Sequence, residues 1–300
     1  LNQGLGRENS IQAARDLFYK GEPARRMVKA LRDSGGLYTL NDFADYQSPW
    51  EEPISTTYRG YQIFTNRTWT QGICLLQTLN ILEGDDLSVL GHNSAEAIHL
   101  QAEALKLAMA DRERYIGDPD FLDVPLDGLL GKEYAGLRRN LIDLGKAMTG
   151  YPAGDPRKLQ AVSQVYPSTI TTGASATGAH LGVSGGNSGD TTYLATIDTQ
   201  GNMVSATPST FSGLSRGMVL ADTGIVINNR GCYFWLDPHN PNGLAPRKRP
   251  RTTPCTFIIL KDGKPFMTLG TPGTDSQVPS DLQVLTNIID FGLNLQEAVE

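Results

Sequence analysis

Residues 171–190, TTGASATGAHLGVSGGNSGD, run directly into 191–197, TTYLATI, and the character of the chain changes at that junction. Six glycines among small polar residues make 171–190 a solvated segment unable to build a core. Tyr193–Ile197 then brings the aromatic and β-branched side chains of a strand. The Gly-rich stretch reads either as an interdomain linker or as an exposed tail leading to a processing point. A nucleotide-binding loop is rejected, because a strand follows it where a helix N-terminus would be needed.

Thr191-Thr192 stands at the junction. By itself such a pair at a strand start is ordinarily structural. A threonine hydroxyl is a poor nucleophile, but an N-terminal threonine carries its own base, since its α-amine titrates near pH ~8 within reach of the hydroxyl. That chemistry needs a chain break, a segment able to leave the new site, and a strand to hold the nucleophile. Residues 171–197 supply the last two.

Outward from this point, the first half reads as mostly helical. Pro23 suits the first turn of a helix carrying Met27, Val28 and Leu31 and ended by Gly35-Gly36. A longer helix is predicted from near Asn93 to Tyr115, with Ile98, Ala102, Leu105 and Met109 on its inner face. Thr56–Thr65 reads as a strand between them. After Thr191, Tyr193–Ile197 and Met203–Ala206 flank a turn at Asp198–Asn202, and Thr256–Leu260 and Phe266–Leu269 form a second hairpin. A helix from about Ser280 to Asp290, with Leu282, Leu285 and Ile289 inward, stops at Gly292. Asn294 and Glu297 make a capping box so close to Glu300 that the chain reads as continuing. The expectation is layered α and β around an antiparallel sheet.

Composition narrows the chemistry. A net charge of −6 over 300 residues disfavours nucleic acid and anionic membranes as partners. The run Arg247–Arg251 reads as a solvated face or one wall of an anion-tolerant site, and Asp85-Asp86 as a solvated pair. Three scattered cysteines and four dispersed histidines offer neither a disulfide framework nor metal-ligand spacing, so no metal or cofactor is expected. No apolar run is long enough to span a bilayer and no signal peptide is visible at Leu1; the compartment stays open. No G-x-S-x-G elbow is present, which leaves Thr191.

An ordered series of short motifs covers nearly the whole chain. Before the junction it comprises Phe18–Gly21, Gly36–Asp42, Tyr58–Tyr61, Leu79–Gly84, Gly91–Ser94, Ala110–Arg112 and Tyr115–Pro119. After it come Asp190–Thr192, Asp198 with Gly201-Asn202, Gly224-Ile225, Asn228-Asn229, Lys248–Pro250, Lys261–Gly263, Gly270–Gly273 and Asp290–Gly292. On these residues the sequence resembles the gamma-glutamyltranspeptidase family of N-terminal-nucleophile hydrolases.

The resemblance implies an αββα sandwich, an α+β fold with antiparallel core sheets flanked by helices, made as a precursor that cuts itself. Residues 1–172 would belong to the large subunit, 173–190 to its Gly-rich tail, and 191–300 to the small subunit, the two forming a heterodimer. Thr191 would attack the Asp190 carbonyl, and hydrolysis of the ester would free its amine. The mature enzyme would form an acyl-enzyme from a small-molecule amide. Gly273 and Thr274 match the family's backbone oxyanion donors. Ser209 matches the hydroxyl that hydrogen-bonds the nucleophile, with Thr207 a competitor, and Thr252 and Thr253 match hydroxyls that hold a substrate carboxylate. The family's carboxylate-binding arginine would fall before Leu1.

Three departures bear on substrate. After Asn228-Asn229, transpeptidases carry acidic residues that bind the glutamyl ammonium; here Arg230-Gly231-Cys232-Tyr233 follows. The stretch from Phe234 to Gly243 is short where transpeptidases have a lid, and Tyr193 replaces a family histidine. These features resemble the acylase and amidohydrolase branch, with Asn229 and Arg230 facing the substrate and hydrolysis dominating over transfer. A true gamma-glutamyl transpeptidase and an unprocessed, non-catalytic binding homologue are the alternatives.

Overall fold

The computed structural model describes residue 4 and residues 6–162, 191–210 and 218–300. The chain forms two compact units, one from Leu1–Trp50 with Thr210–Asn229 and one from Glu51–Ser209 with Arg230–Glu300.

The smaller unit holds α1 (Arg7–Lys20), α2 (Glu22–Asp33) and α3 (Leu40–Ala44). Pro23 lies in the first turn of α2, where its missing N–H has no helical partner to lose. The spacing of Ala24, Met27, Val28 and Leu31 puts all four on one buried face. Met27 and Leu31 pack with Leu220, and Phe43, Met218, Ile225 and Ile227 close around them. Gly36 ends the helix by donating its N–H to the Leu31 carbonyl at 2.8 Å.

In the larger unit the strands are β1 (Ile54–Tyr58), β2 (Tyr61–Thr65), β3 (Leu194–Ile197), β4 (Met203–Ala206), β5 (Phe257–Lys261) and β6 (Lys264–Leu269). They make an antiparallel sheet in the order β1-β2-β5-β6 and a separate β3-β4 hairpin. The expected single strand over Thr56–Thr65 is therefore two. Arg59 and Gly60 have φ of 51° and 82°, the paired positive values of a tight hairpin turn that a strand reading overlooks. Asp262 and Gly263 repeat the device between β5 and β6, with φ of 51° and 70°.

The helices are α4 (Gly72–Leu82), α5 (Leu87–Leu90), α6 (Ala95–Tyr115), α7 (Leu126–Leu129), α8 (Lys132–Arg139), α9 (Gln277–Ile289) and α10 (Leu295–Val299). Among the described residues no helix is long and apolar enough to cross a membrane. Every residue of α4 is buried. It packs against β1 and β2 on one side and against α6, α8 and α9 on the others. A helix apolar on all faces is stable only when enclosed in this way.

The inner face of α6 differs from the expected one. Ala97, Leu100, Ala104, Leu107, Ala108 and Asp111 are buried, whereas Ile98 is exposed and Leu105 and Met109 lie on the flank. Small alanines let α6 approach α4 closely, and two charges enter the core beside them because each finds partners. Glu103 takes Lys106 Nζ at 2.6 Å and the Met148 N–H at 3.0 Å. Asp111 takes the Tyr134 hydroxyl at 2.8 Å, the Gly154 N–H at 2.9 Å and Arg138, itself fully buried, at 3.4 Å.

In the Arg247–Arg251 run Arg247 is exposed, but the later arginines do not make a solvated face. Arg249 pairs with Glu51, Asp118 and Asp120 and lies over the Trp69 ring, and Arg251 is buried against Glu113. Asp85 is likewise engaged, in a two-pronged pair with Arg139 at 2.5 and 2.7 Å, and Asp86 caps α5. Charge runs look solvated only until their distant partners are in place.

Helix α9 begins at Gln277, earlier than expected, with Val278, Leu282 and Leu285 buried and Ile289 partly so. It also buries Asp281, whose carboxyl burial pushes up to about 8 against a thiol hydrogen bond from Cys255 at 3.9 Å. The unfolded chain releases this proton near 3.8, while the folded chain holds it until about 8. Between those values the folded state binds more protons, so stability falls as pH rises. Asp281→Asn, which stays neutral, should flatten that slope and gain at least about 1 kcal/mol at pH 8 relative to pH 5, as urea titrations at the two pH values will show.

Candidate functional site

The β3-β4 hairpin sets the position of the two hydroxyls that matter most. Its register pairs Leu194 with Ala206, and the Thr192 N–H continues the pairing to the Pro208 carbonyl at 3.1 Å. This brings the residue before Thr192 opposite the residue after Pro208. The Thr191 and Ser209 hydroxyl oxygens are 2.7 Å apart. The Thr207 hydroxyl turns elsewhere, donating to the Cys255 carbonyl at 3.2 Å. Tyr193 shares a hydrogen bond with Ser205 at 2.9 Å, and its ring lies so close to Gly270 that a Cβ there would sit 2.6 Å from it. Only glycine fits against that ring.

A short 3-10 turn, Arg230–Tyr233, carries the next two groups. Arg230 Nη2 donates to Ser209 Oγ at 2.6 Å. Because a guanidinium can only donate, Ser209 must accept there, while in the bond to Thr191 Oγ1 either hydroxyl can be the donor. One turn on, the Tyr233 hydroxyl lies 3.1 Å from Thr253 Oγ1, and the Arg230 guanidinium centre is 5.9 Å from the Tyr233 ring. Burial pushes the Tyr233 phenol up in spite of the Thr253 hydrogen bond and the Arg230 charge. It therefore stays neutral and can both donate and accept. Burial also raises the neighbouring Cys232 thiol, the Arg230 charge opposing, which does not favour a thiolate nucleophile there.

Asn242, fully buried, ties this turn to the two threonines. Its Nδ2 donates to the Tyr233 carbonyl and its Oδ1 accepts the Arg251 N–H, each at 2.7 Å. The Thr252 N–H in turn donates to the Trp69 carbonyl at 2.9 Å. Thr252 and Thr253 are both buried.

Gly273 and Thr274 form the tight turn that leads into α9. Gly273 has φ of 132°, a region closed to residues with a Cβ, and Thr274 follows at 53°. A β-branched residue at positive φ costs about 1–3 kcal/mol and persists only where its surroundings hold it. The Gly273 carbonyl accepts both the N–H of Ser276 at 2.9 Å and its hydroxyl at 2.6 Å. Across a trans peptide, the Thr274 N–H points away from that turn.

The structure thus joins Thr191, Ser209 and Arg230 in one hydrogen-bonded chain and Tyr233 with Thr253 in another. Gly273 and Thr274 belong to a separate turn of the same unit. Asn229 lies in the smaller unit, where its N–H donates to the Thr210 carbonyl at 3.2 Å. Asp190 lies outside the described residues. Among the described residues no three His, Cys, Asp or Glu side chains are grouped to hold a metal. Sequence reasoning quoted Tyr233 without giving it a role, although its spacing of three from Arg230 suits one face of a 3-10 turn. Asn242 carried no local signal.

Residues 5–300 match the gamma-glutamyltranspeptidase family. The chain is 34% identical over 288 residues to the glutathione hydrolase-like YwrD proenzyme of Bacillus subtilis, covering 96% of this chain and 49% of that protein. It is 38% identical over 287 residues to the acylase ACY 1 proenzyme of a Pseudomonas species, covering 95% and 46%. Cephalosporin acylase from Bacillus halodurans superposes with a TM-score of 0.78 at 34% identity, over 94% of this chain and 46% of that one. The chain spans about half the length of the curated relatives it matches. Over that span, in sequence and in fold, it belongs to the gamma-glutamyltranspeptidase family.

Proposed function

We propose that this protein is a self-processing amidohydrolase whose nucleophile is Thr191, exposed as a new N-terminus by cleavage after Asp190. The observation that carries the reading is the 2.7 Å approach of Ser209 Oγ to Thr191 Oγ1, with Arg230 donating to Ser209 from behind. A serine anchored in this way holds and orients the nucleophilic oxygen through their shared hydrogen bond.

In the reaction, Thr191 Oγ1 adds to the carbonyl carbon of a substrate amide while its proton passes to the Thr191 α-amine. The carbonyl oxygen becomes an oxyanion, received by the backbone N–H groups of Gly273 and Thr274. Collapse expels the amine, which leaves with the proton held by the α-amine, and an ester to Thr191 remains. Water, deprotonated by the same α-amine, attacks the ester and releases the acid. Cleavage at Asp190 uses the same hydroxyl on the chain's own carbonyl. Residues 1–172 with the 173–190 tail would belong to the large subunit and 191–300 to the small one, within an αββα sandwich.

Arg230 decides between acyl groups. Relatives include proteins named glutathione hydrolases, among them one from Escherichia coli at 34% identity. A gamma-glutamyl group carries an ammonium, and a guanidinium beside the nucleophile repels it. An acyl chain ending in a carboxylate is instead attracted, with the Thr252 and Thr253 hydroxyls as further partners. The reading is therefore an acylase for anionic acyl amides, mainly hydrolytic.

Intact mass of the full-length protein should show two chains, the smaller beginning at Thr191, and Thr191→Ala should leave one uncut, inactive chain. An uncut protein with undiminished hydrolysis in Thr191→Ala would overturn the mechanism. Ser209→Ala should lower kcat about tenfold to a hundredfold, the worth of one well-placed hydrogen bond to a developing charge. A glutaryl anilide should be hydrolysed at least about tenfold faster, in kcat/KM, than the gamma-glutamyl anilide. The opposite order would assign the protein to gamma-glutamyl transfer.

A further inference from the structure

We propose that Gln71 and Arg112, which precede Thr191 in the chain, are positioning residues that clasp the Gly273–Thr274 turn and hold its N–H groups in donor geometry. The proposal rests on the reading of those N–H groups as the oxyanion donors.

Gln71 sits at the N-terminal cap of α4 and is fully buried. Both ends of its amide are engaged. Its Nε2 donates to the Thr274 carbonyl at 2.9 Å, and its Oε1 accepts Arg112 Nη1 at 2.6 Å. The same Nη1 reaches Asp275 Oδ1 at 2.8 Å. The peptide between Thr274 and Asp275 is thus gripped at its carbonyl and at the following carboxylate by two side chains that bond each other. A threonine at positive φ needs such a grip, since its own conformational preference would turn the peptide over. When that peptide turns, the Thr274 backbone turns with it.

Arg112 is itself fixed. Its Nε donates to Glu113 Oε1 at 2.9 Å, and Arg251 Nη2 donates to both Glu113 oxygens, Oε1 at 3.0 Å and Oε2 at 2.9 Å. Arg251 Nη1 returns to the Arg112 carbonyl at 3.1 Å. Burial opposes the Glu113 charge, but the two guanidinium groups outweigh it and hold the carboxyl down at about 2. The network stays charged throughout the range in which an α-amine works as a base. It also reaches the other wall of the site, because Arg251 directly precedes Thr252 and Thr253. Trp69, two residues before Gln71, accepts the Thr252 N–H. One short segment and one arginine therefore set both the turn and the two threonines.

Removing Arg112 empties a buried position and takes one of two guanidinium partners from half-buried Glu113, so the test rests first on milder changes. In the full-length protein, Gln71→Ala and Asp275→Ala should each lower kcat at least tenfold per active site counted by acyl-enzyme burst, with KM within twofold. Asp275→Glu should recover most of the loss, and the double variant should lose less than the product of the singles. A variant that stays uncut while its melting matches the parent also supports the clasp, since cleavage passes through the same kind of oxyanion. If Gln71→Ala and the half-exposed Asp275→Ala both keep kcat per site within twofold, the clasp is overturned. Activity surviving in Thr191→Ala would instead overturn the reading beneath it.

Discussion

Helix α4 has no face left for solvent, and that enclosure orders most of the larger unit. Its apolar residues need cover in every direction, so β1 and β2 lie on one side and α6, α8 and α9 on the others. A buried helix must also terminate its backbone inside the protein, where unpaired polar groups are costly. The chain therefore spends polar side chains at that end. Gln71, Thr70 and the backbone of Trp69 emerge from the start of α4, and these are the groups that meet Thr274 and Thr252. The core and the site share one boundary.

That boundary is assembled from both sides of Thr191. β2 precedes it and β5 follows it, yet the two pair along five residues in the middle of one sheet. Arg249 and Arg251 find their carboxylates at Glu51, Glu113 and Asp118. A cut before Thr191 would leave two chains joined by a strand ladder, a common core and partly buried ion pairs. Separating chains interleaved in this way would break the sheet that both of them build.

The electrostatics around Thr191 separate the chemistry of attack from the identity of the acyl group. In the proposed mechanism attack would depend on an oxygen, a base and two backbone donors, none of which reads the far end of a substrate. Selection would then fall to Arg230, since a guanidinium keeps its charge at any physiological pH. A guanidinium that also supports Ser209 cannot be exchanged for a carboxylate without disturbing the nucleophile. In this reading the preference against an ammonium is built into the same contact that orients the hydroxyl.

The sequence by itself determined much of what is local. The two later hairpins, the Pro23 helix and the Asn294–Glu297 cap follow from turn chemistry and spacing, which act over a few residues. The ordered motifs carried the family and the residues to watch. Other features needed the tertiary structure. Thr56–Thr65 split into a hairpin because two adjacent residues accept positive φ, a choice made once β2 pairs with β5. The inner face of α6 turned toward Ala104 and Ala108 because α4 lies close enough to require small side chains. Arg249, Arg251 and Asp85 looked solvated because their partners are distant in sequence. Hairpin register set the Ser209 hydroxyl beside Thr191 and turned that of Thr207 elsewhere, and Gln71 met Thr274 across 203 residues of chain. Local propensity says what a segment can become; long-range pairing, with its burial and charge, decides which groups end up face to face.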